Sequence, residues 1–283
     1  DVLACIDSMK TVMMLDVKIK MFDSTQWELV NGSRVHFYCE ATEALCKVVL
    51  LDKNRLTNGE AGYAQLRFEE PVAFKRKDRF IIRFYSPVMT IGGGIILDAE
   101  PIKHKRFKQE IINELSLEEN GTILDIVELS IKRCIFDLVD IRDIARRVNI
   151  SRSDCEACIN VLIKDGKVIM LDHNMLIHKD NADYFLDIVI NIIKEHYKGN
   201  PLSLGMKIEE LRSRISYEAN QNELSLVEAC LGYAENDGVI KKNDNYVTLC
   251  DYKQEIPQAW IDLKENIIRY YKEKKFEMPK LDE

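Results

Sequence analysis

Three groups of residues in this 283-residue chain have types and spacings that could carry chemistry. Cys155 and Cys158 form a CxxC pair, which is half of the four-ligand set that a structural zinc ion requires. The glycine run at residues 92–94 could present backbone N–H groups to a phosphate. Two basic clusters, at residues 75–83 and 103–108, could neutralise the phosphates of a nucleic acid.

The surroundings of the CxxC pair and of the triple glycine favour structural roles. The CxxC lies in helix-patterned sequence without a second ligand pair nearby. The glycines lack the strand-to-helix setting of phosphate-binding loops, and the tight geometry of a small barrel explains them better. The sequence has no GxxxxGK[ST] loop, and its five histidines have no matched Cys, Ser or carboxylate set. We therefore expect no catalytic residue, metal or cofactor in this chain. An enzyme that uses the CxxC pair or the glycine run is a third alternative function.

Charge is distributed unevenly along the chain, whose formal net charge is −7. Residues 1–98 contain 13 Lys+Arg and 13 Asp+Glu, whereas the remaining residues contain 27 and 34. On charge alone, RNA contact at the basic clusters and simple solvated loops are equally compatible with this pattern. The candidate RNA-binding residues are Lys75, Arg76, Lys77, Arg79, Arg83, Tyr85, Ser86, Lys103, Lys105 and Arg106.

The elements that must position the first cluster are strands. Leu15, Val17 and Ile19 alternate with charged residues, which is the two-residue period of a half-buried strand. Similar short strands recur with Asn-Gly and other turn signals between them, and residues 63–98 add two strands, a basic turn and a last apolar strand. The pattern predicts a small antiparallel β-barrel of about six strands over residues 1–99.

After Pro101 the sequence becomes helical, in an order typical of winged-helix domains. Residues 141–148 form a short helix, Ser151 caps a second helix, and Asp165-Gly166 ends it before two short strands. A second Asp-Gly pair, at residues 237–238, follows the first by 72 residues in the same order of elements. We predict winged-helix domains at residues 100–180 and 181–253 and the start of a third at 254–283. The fold class is therefore multidomain, β followed by α+β.

A helix-turn-helix raises the hypothesis of DNA binding. The second candidate recognition helix, at residues 221–236, contains Glu223, Glu228 and Glu235 and no Lys or Arg. Such a helix opposes contact with phosphates, so we interpret the winged helices as spacers or protein contacts. A winged-helix transcription regulator with a β sensor domain remains the alternative function.

The chain shows no signal segment and no apolar run approaching the ~20 residues of a membrane span, so we expect a cytoplasmic location without membrane contact. Its eight scattered cysteines agree with reduced thiols. The sequence opens without Met in strand-like residues and closes inside its third repeat. We therefore expect a piece of a longer protein.

The barrel stretch resembles the third, β-barrel domain of translational elongation factors of the EF-Tu type. The matching elements are Pro71-Val72-Ala73, DRFIIR at residues 78–83 and TIGGGIILD at residues 90–98. The longer pattern GYAQLRFEEP…DRFIIRFYSPVMTIGGG is similar to bacterial selenocysteine-specific elongation factors. NPLSLGMKIEELRSRI, at residues 200–215, is similar to a run in the second winged helix of that family.

This resemblance implies a factor that binds GTP and Mg²⁺ in another domain, carries selenocysteinyl-tRNA to the ribosome and reads an mRNA insertion hairpin at recoded UGA codons. It implies that the barrel contacts the tRNA arm, and the region at residues 75–86 matches. Glu70, which precedes Pro71, departs from the basic residue of the EF-Tu pattern. The winged helices are implied to be a spacer toward a hairpin reader outside these residues. We expect the chain to be monomeric.

Overall fold

The structure, a computed structural model, describes residues 9–23, 27–86, 88–135, 139–171, 175–200, 203–218, 224–251 and 258–274. The chain divides into two compact units, Asp1–Asn181 and Ala182–Glu283. None of the helices in these ranges combines the length and apolar character that crossing a membrane requires.

The first unit begins with a closed, six-stranded antiparallel barrel, which confirms the prediction from the sequence. The strand order is β1-β6-β4-β3-β7-β8, and β8 pairs with β1 to close the ring. A separate ribbon pairs β2 with β5. The strands are β1 (Val12–Met21), β2 (Leu29–Val30), β3 (Arg34–Cys39), β4 (Thr42–Leu50), β5 (Arg55–Leu56), β6 (Ala61–Val72), β7 (Arg79–Phe84) and β8 (Thr90–Asp98).

The barrel core is aromatic at its centre. Phe37 of β3 is fully buried, and its ring centre lies 5.0 Å from that of Phe80 and 5.2 Å from those of Phe68 and Phe74. Because side chains alternate along a strand, burying Phe37 places its neighbours His36 and Tyr38 on the outer surface. The outward positions of β3 are therefore set by the core.

The triple glycine lies inside β8, between β1 and β7. A Cβ atom on Gly94 would overlap the carbonyl oxygen of Lys18, and one on Gly92 would overlap that of Lys20. The glycines therefore allow the two backbones to approach closely, as the structural interpretation of this run predicts.

The first winged-helix region follows in the same unit. Its elements are α1 (Gln109–Asn120), α2 (Ile123–Arg133), α3 (Ile141–Val148), α4 (Arg152–Lys164), β9 (Val168–Met170) and β10 (Leu176–His178). Leu115 of α1 packs against Tyr63 and Leu97 on the outside of the barrel. Ser151 caps α4 as predicted, with its hydroxyl accepting from the Asp154 N–H at 3.1 Å.

The second unit repeats this order. Its elements are α5 (Lys179–Gly199, which begins in the first unit), β11 (Met206–Lys207), α6 (Ile208–Glu218), α7 (Leu224–Asn236), β12 (Ile240–Asn243), β13 (Tyr246–Leu249) and α8 (Gln258–Lys274). Gly166 and Gly238 end corresponding helices with the same φ of 72°. The residues 221–223 and 276–283, used in the sequence predictions, lie outside the described residues.

Candidate nucleic-acid interface

The outer surface of β3 and β7 carries a compact group of cationic and aromatic side chains, which we call the β3–β7 face: Arg34, His36, Tyr38, Arg83 and Tyr85. The antiparallel register places His36 opposite Arg83 and Tyr38 opposite Ile81. Phe80 and Ile82 point into the core, so Arg79, Ile81 and Arg83 point outward. The row from Arg79 to Tyr85 extends for roughly 20 Å along the barrel.

Three rings on this face form a ladder. The ring of His36 stacks on that of Tyr85, with centres 5.4 Å apart and planes 9° apart. The ring of His36 also stacks on that of Tyr38, with centres 6.3 Å apart and planes 23° apart. Arginines flank the ladder at both ends, because Arg34 Cζ lies 5.8 Å from the centre of the Tyr85 ring and Arg83 Cζ 5.6 Å from that of Tyr38.

Glu43 of β4 holds two rings of the ladder in place. Its Oε1 accepts a hydrogen bond from the Tyr38 hydroxyl at 2.8 Å and lies 2.8 Å from His36 Nδ1. The hydrogen bond from Tyr38 lowers the pKa of Glu43, and the same bond raises the pKa of Tyr38. At neutral pH the face therefore presents a protonated Tyr38 and an ionised Glu43.

The basic turn at residues 75–78 leads directly into the outer row of β7. Asp78 Oδ2 accepts from the Lys75 N–H at 2.8 Å and shapes the turn. Lys77 is exposed, with a φ of 74°, and Arg79 is exposed at the start of β7. Lys77, Arg79 and the exposed Ser86 thus extend the β3–β7 face at its two ends.

Arg76 is a correction to the predicted RNA-binding set. Its side chain is only 5% exposed, because its Nε donates to Glu118 Oε2 of α1 at 3.0 Å. A buried, paired guanidinium is not positioned to reach a phosphate. Burial also raises the pKa of Glu118. The basic run gave no sign of this, since the partner lies 42 residues away in a helix that covers the turn.

The connector at residues 101–108 contains the second basic cluster, and it divides into anchors and exposed lysines. Arg106 donates to the carbonyl oxygens of Leu50 at 2.7 Å and Lys53 at 2.8 Å. The neighbouring His104 is buried, with Nε2 2.7 Å from Asp16 Oδ2 of β1. The guanidinium of Arg106 is therefore also held in hydrogen bonds to the backbone of the barrel. Lys103 and Lys105, in contrast, are exposed.

The two clusters do not form one surface. The connector is anchored to β1, to the end of β4 and, through Gln65 Nε2 donating to the Ile102 carbonyl at 2.8 Å, to β6. In the barrel order these three strands are consecutive, and β3 and β7 lie on the other side of the ring. Lys103 and Lys105 are thus separated from the β3–β7 face.

The alternative sites find little support. Cys155 is fully buried in the first winged-helix core, and burial raises its pKa to about 12. No group of three or more His, Cys, Asp or Glu suited to a metal occurs in the part of the chain that the structure describes. On α4, Arg152 is paired with Glu156 at 2.7 Å. On α7, Glu228 pairs with Arg212 and Glu235 pairs with Lys242, and the helix itself contains no Lys or Arg.

Arg34, His36 and Tyr38 were absent from the residues predicted from the sequence. Their alternation with Val35 and Phe37 marks them as outward-facing. Their proximity to Arg83 and Tyr85, however, depends on the pairing of β3 with β7, two strands separated along the chain by β4, β5 and β6. Sequence alternation identifies such residues but does not group them.

Two stretches of the chain match families of one kind of protein. Residues 16–103 match the family described as "Selenocysteine-specific elongation factor, beta-barrel domain". Residues 190–249 match the family described as "Elongation factor SelB, winged helix". The first stretch contains the whole β3–β7 face, and the second contains most of the second winged-helix region.

A curated relative and a solved structure agree with these matches. The selenocysteine-specific elongation factor of Desulfomicrobium baculatum is 32% identical over 96 residues, which are 34% of this chain and 15% of the relative. The crystal structure of bacterial selenocysteine-specific elongation factor EF-Sec superposes with a TM-score of 0.58 at 14% identity, covering 94% of this chain and 38% of that one. At that identity the superposition supports the fold alone. Residues 16–103 and 190–249 therefore carry β-barrel and winged-helix domains of the selenocysteine-specific elongation factor family.

Proposed function

We propose that this chain is part of a translation factor that delivers selenocysteinyl-tRNA to the ribosome at recoded UGA codons. The observation that carries the proposal is the exposed β3–β7 face, which lies within the residues that match the β-barrel of that family. In this proposal the barrel holds the tRNA, and no step of catalysis is assigned to these residues.

The composition of the face suits a helical RNA arm. Double-stranded RNA is recognised through its phosphates, its 2′-hydroxyls and its shape rather than through its bases. Arg83, Arg79 and Lys77 supply cations along this face, and the stem of each is held by a strand or a turn. Arg34 adds a fourth cation that is shared with the exposed Glu69, whose Oε1 accepts from Arg34 Nε at 2.7 Å. Lys103 and Lys105 are proposed as a second, separate contact to phosphate.

The first winged-helix region is proposed to act as a spacer that starts rigidly at the barrel. Arg133 of α2 donates to Asp98 Oδ2 of β8 at 2.8 Å, and Arg146 Nη1 of α3 lies 2.8 Å from Glu100 Oε1. Such contacts fix the first winged-helix region to the barrel without using α4, the second helix of its helix-turn-helix. GTP and Mg²⁺ are assigned to other parts of the factor, because this sequence has no GxxxxGK[ST] loop. The mRNA insertion hairpin is also assigned to residues outside this chain, as the resemblance to the family implies.

The test is a fluorescence anisotropy titration of the 283-residue chain with a selenocysteine tRNA transcript over a series of salt concentrations. We expect Arg34→Ala and Arg83→Ala each to weaken binding several-fold and to reduce the salt slope by about 1. Arg55→Ala is the matched control, because Arg55 is an exposed arginine on the β2–β5 ribbon, outside the β3–β7 pairing, and is ion-paired with Glu28 as Arg34 is with Glu69.

Equal losses in Arg55→Ala and Arg83→Ala would reject the β3–β7 face as the RNA contact. A set of duplex DNAs of different sequences is titrated in parallel to test the rival function. Tighter, sequence-selective binding of DNA than of tRNA would favour the transcription regulator instead.

A further inference from the structure

We infer that the β3–β7 face binds one unpaired nucleotide of an RNA, stacked on the Tyr85 ring, beside a helical arm. The inference rests on the proposed function, since it specifies which RNA feature the same face recognises. It concerns the rings, whereas the proposed function needs only the cations.

Tyr85 is the exposed end of the ring ladder. Its side chain is 53% exposed, although the almost parallel ring of His36 supports it. The hydrogen bonds of Glu43 in turn restrain His36 and Tyr38. A ring held in this way offers flat apolar area without the loss of side-chain freedom that ordering a loose tyrosine would cost.

A duplex alone makes no use of such a ring, because its bases are stacked on each other inside the helix. Unpaired bases, in contrast, are bound by stacking on aromatic side chains, with arginines contacting the adjacent backbone. Arg34 lies over the Tyr85 ring and also donates to Glu69 Oε1 at 2.7 Å, so a nucleotide that stacks on Tyr85 lies next to this cation or displaces it. Arg83 lies at the other end of the ladder, beside Tyr38. Arg83 Nε is buried and has no hydrogen-bond partner among the described residues.

The same geometry argues against reading of base identity. The Tyr38 hydroxyl and His36 Nδ1 are both directed to Glu43, so these polar atoms are not available to a base edge. Stacking is tolerant of sequence because every base has an aromatic face. The structure therefore predicts recognition of an unpaired nucleotide of any base.

The experiment compares a blunt RNA hairpin with the same hairpin carrying one bulged nucleotide, made in four versions with A, C, G or U. For the unmodified chain we expect all four bulged hairpins to bind roughly fivefold or more tighter than the blunt one. Tyr85→Leu should remove this difference and leave the salt-dependent binding of the blunt hairpin intact. Tyr85→Phe, which keeps the ring, should preserve the difference.

Tyr217→Leu is the matched control, because Tyr217 is 87% exposed on α6 of the second unit. Equal affinity of the unmodified chain for blunt and bulged hairpins, with Arg83→Ala still weakening both, overturns this inference and leaves the proposed function standing. A Tyr85→Leu variant that keeps the preference for bulged hairpins also overturns it. Absence of salt-dependent binding to any of these RNAs and to the tRNA overturns both.

Discussion

Arg76 and Glu118 form a buried ion pair that joins the basic turn before β7 to the last turns of α1, with Arg76 Nε 3.0 Å from Glu118 Oε2. The other carboxylate oxygen of Glu118 accepts from Arg133 of α2 at 3.1 Å. The side chain of Asn149, at the end of α3, donates to the Arg76 carbonyl oxygen at 3.1 Å. The turn that carries Lys77 is therefore held by three helices of the first winged-helix region.

Replacing Arg76 with Met should destabilise the first unit strongly, because it leaves the buried Glu118 with one cation fewer. Removing one partner of a buried pair costs about 3–5 kcal/mol, and we expect a loss of free energy of unfolding at the lower end because Arg133 remains. Denaturant unfolding measures the loss. Lys77→Met, at the adjacent exposed position, should change stability by under about 0.5 kcal/mol. Similar effects of the two substitutions would contradict the burial of Arg76.

Gly94→Ala should disrupt the closure of the barrel between β8 and β1. The added Cβ would meet the Lys18 carbonyl oxygen and lie 2.7 Å from the Phe80 ring, so the backbone must move. We expect a loss of about 3 kcal/mol or more, measured by thermal or denaturant unfolding. Gly232→Ala is the control, because nothing lies within 4 Å of the new Cβ in α7. That change should be neutral or stabilising, since Ala favours a helix by about 1 kcal/mol over Gly.

The alternation of core and surface residues predicted the barrel, because this pattern depends on residues close in sequence. The structural role of the glycines was predicted from the absence of a strand-to-helix setting and from the tight geometry of a small barrel. The position of Arg76 and the composition of the β3–β7 face were not predictable in the same way. Arg76 is buried by Glu118, and His36 is brought to Arg83 by strand pairing across intervening strands. A run of basic residues in a sequence shows which charged side chains are present. Which of them are exposed to solvent depends on packing against residues that are distant in the sequence.

Glu43→Gln should strengthen RNA binding by the β3–β7 face. The hydrogen bond from Tyr38 lowers the pKa of Glu43 below its usual value of 4.5. The carboxylate is therefore ionised at neutral pH, and its negative charge repels phosphate. Gln keeps an oxygen that can accept from Tyr38 and removes the charge. We expect tighter binding by a factor of about 2 to 5, as for one screened surface charge.

The titration of Glu43 also sets how this gain depends on pH. Because the folded pKa is lowered, the carboxylate remains charged throughout the neutral and mildly acidic range. The advantage of Glu43→Gln should therefore be the same at pH 7.5 and at pH 8.5, above the range in which an ordinary histidine such as the neighbouring His36 changes charge, in anisotropy titrations at fixed salt. Weaker binding by Glu43→Gln would indicate that ordering of the rings outweighs the charge.

The buried cysteines should resist alkylation in the folded chain. Burial raises the pKa of Cys39, Cys46, Cys155 and Cys230 to about 12, whereas Cys250 is exposed. At pH 8 a thiol with that pKa is ionised in only about one molecule in 10,000, and the thiolate is the reactive form. Peptide mapping after brief iodoacetamide treatment should therefore find modification at Cys250 well before the other four. Rapid modification of Cys155 would contradict its place in the first winged-helix core.

Contact between the β3–β7 face and RNA can be detected by photo-crosslinking. A selenocysteine tRNA transcript containing 4-thiouridine is bound to the chain, irradiated and digested, and the crosslinked peptides are identified by mass spectrometry. Crosslinks are expected within residues 34–38 and 77–86, and they should decrease in Arg83→Ala. Crosslinks confined to α4, α7 or other winged-helix residues, with none in β3 or β7, would contradict it.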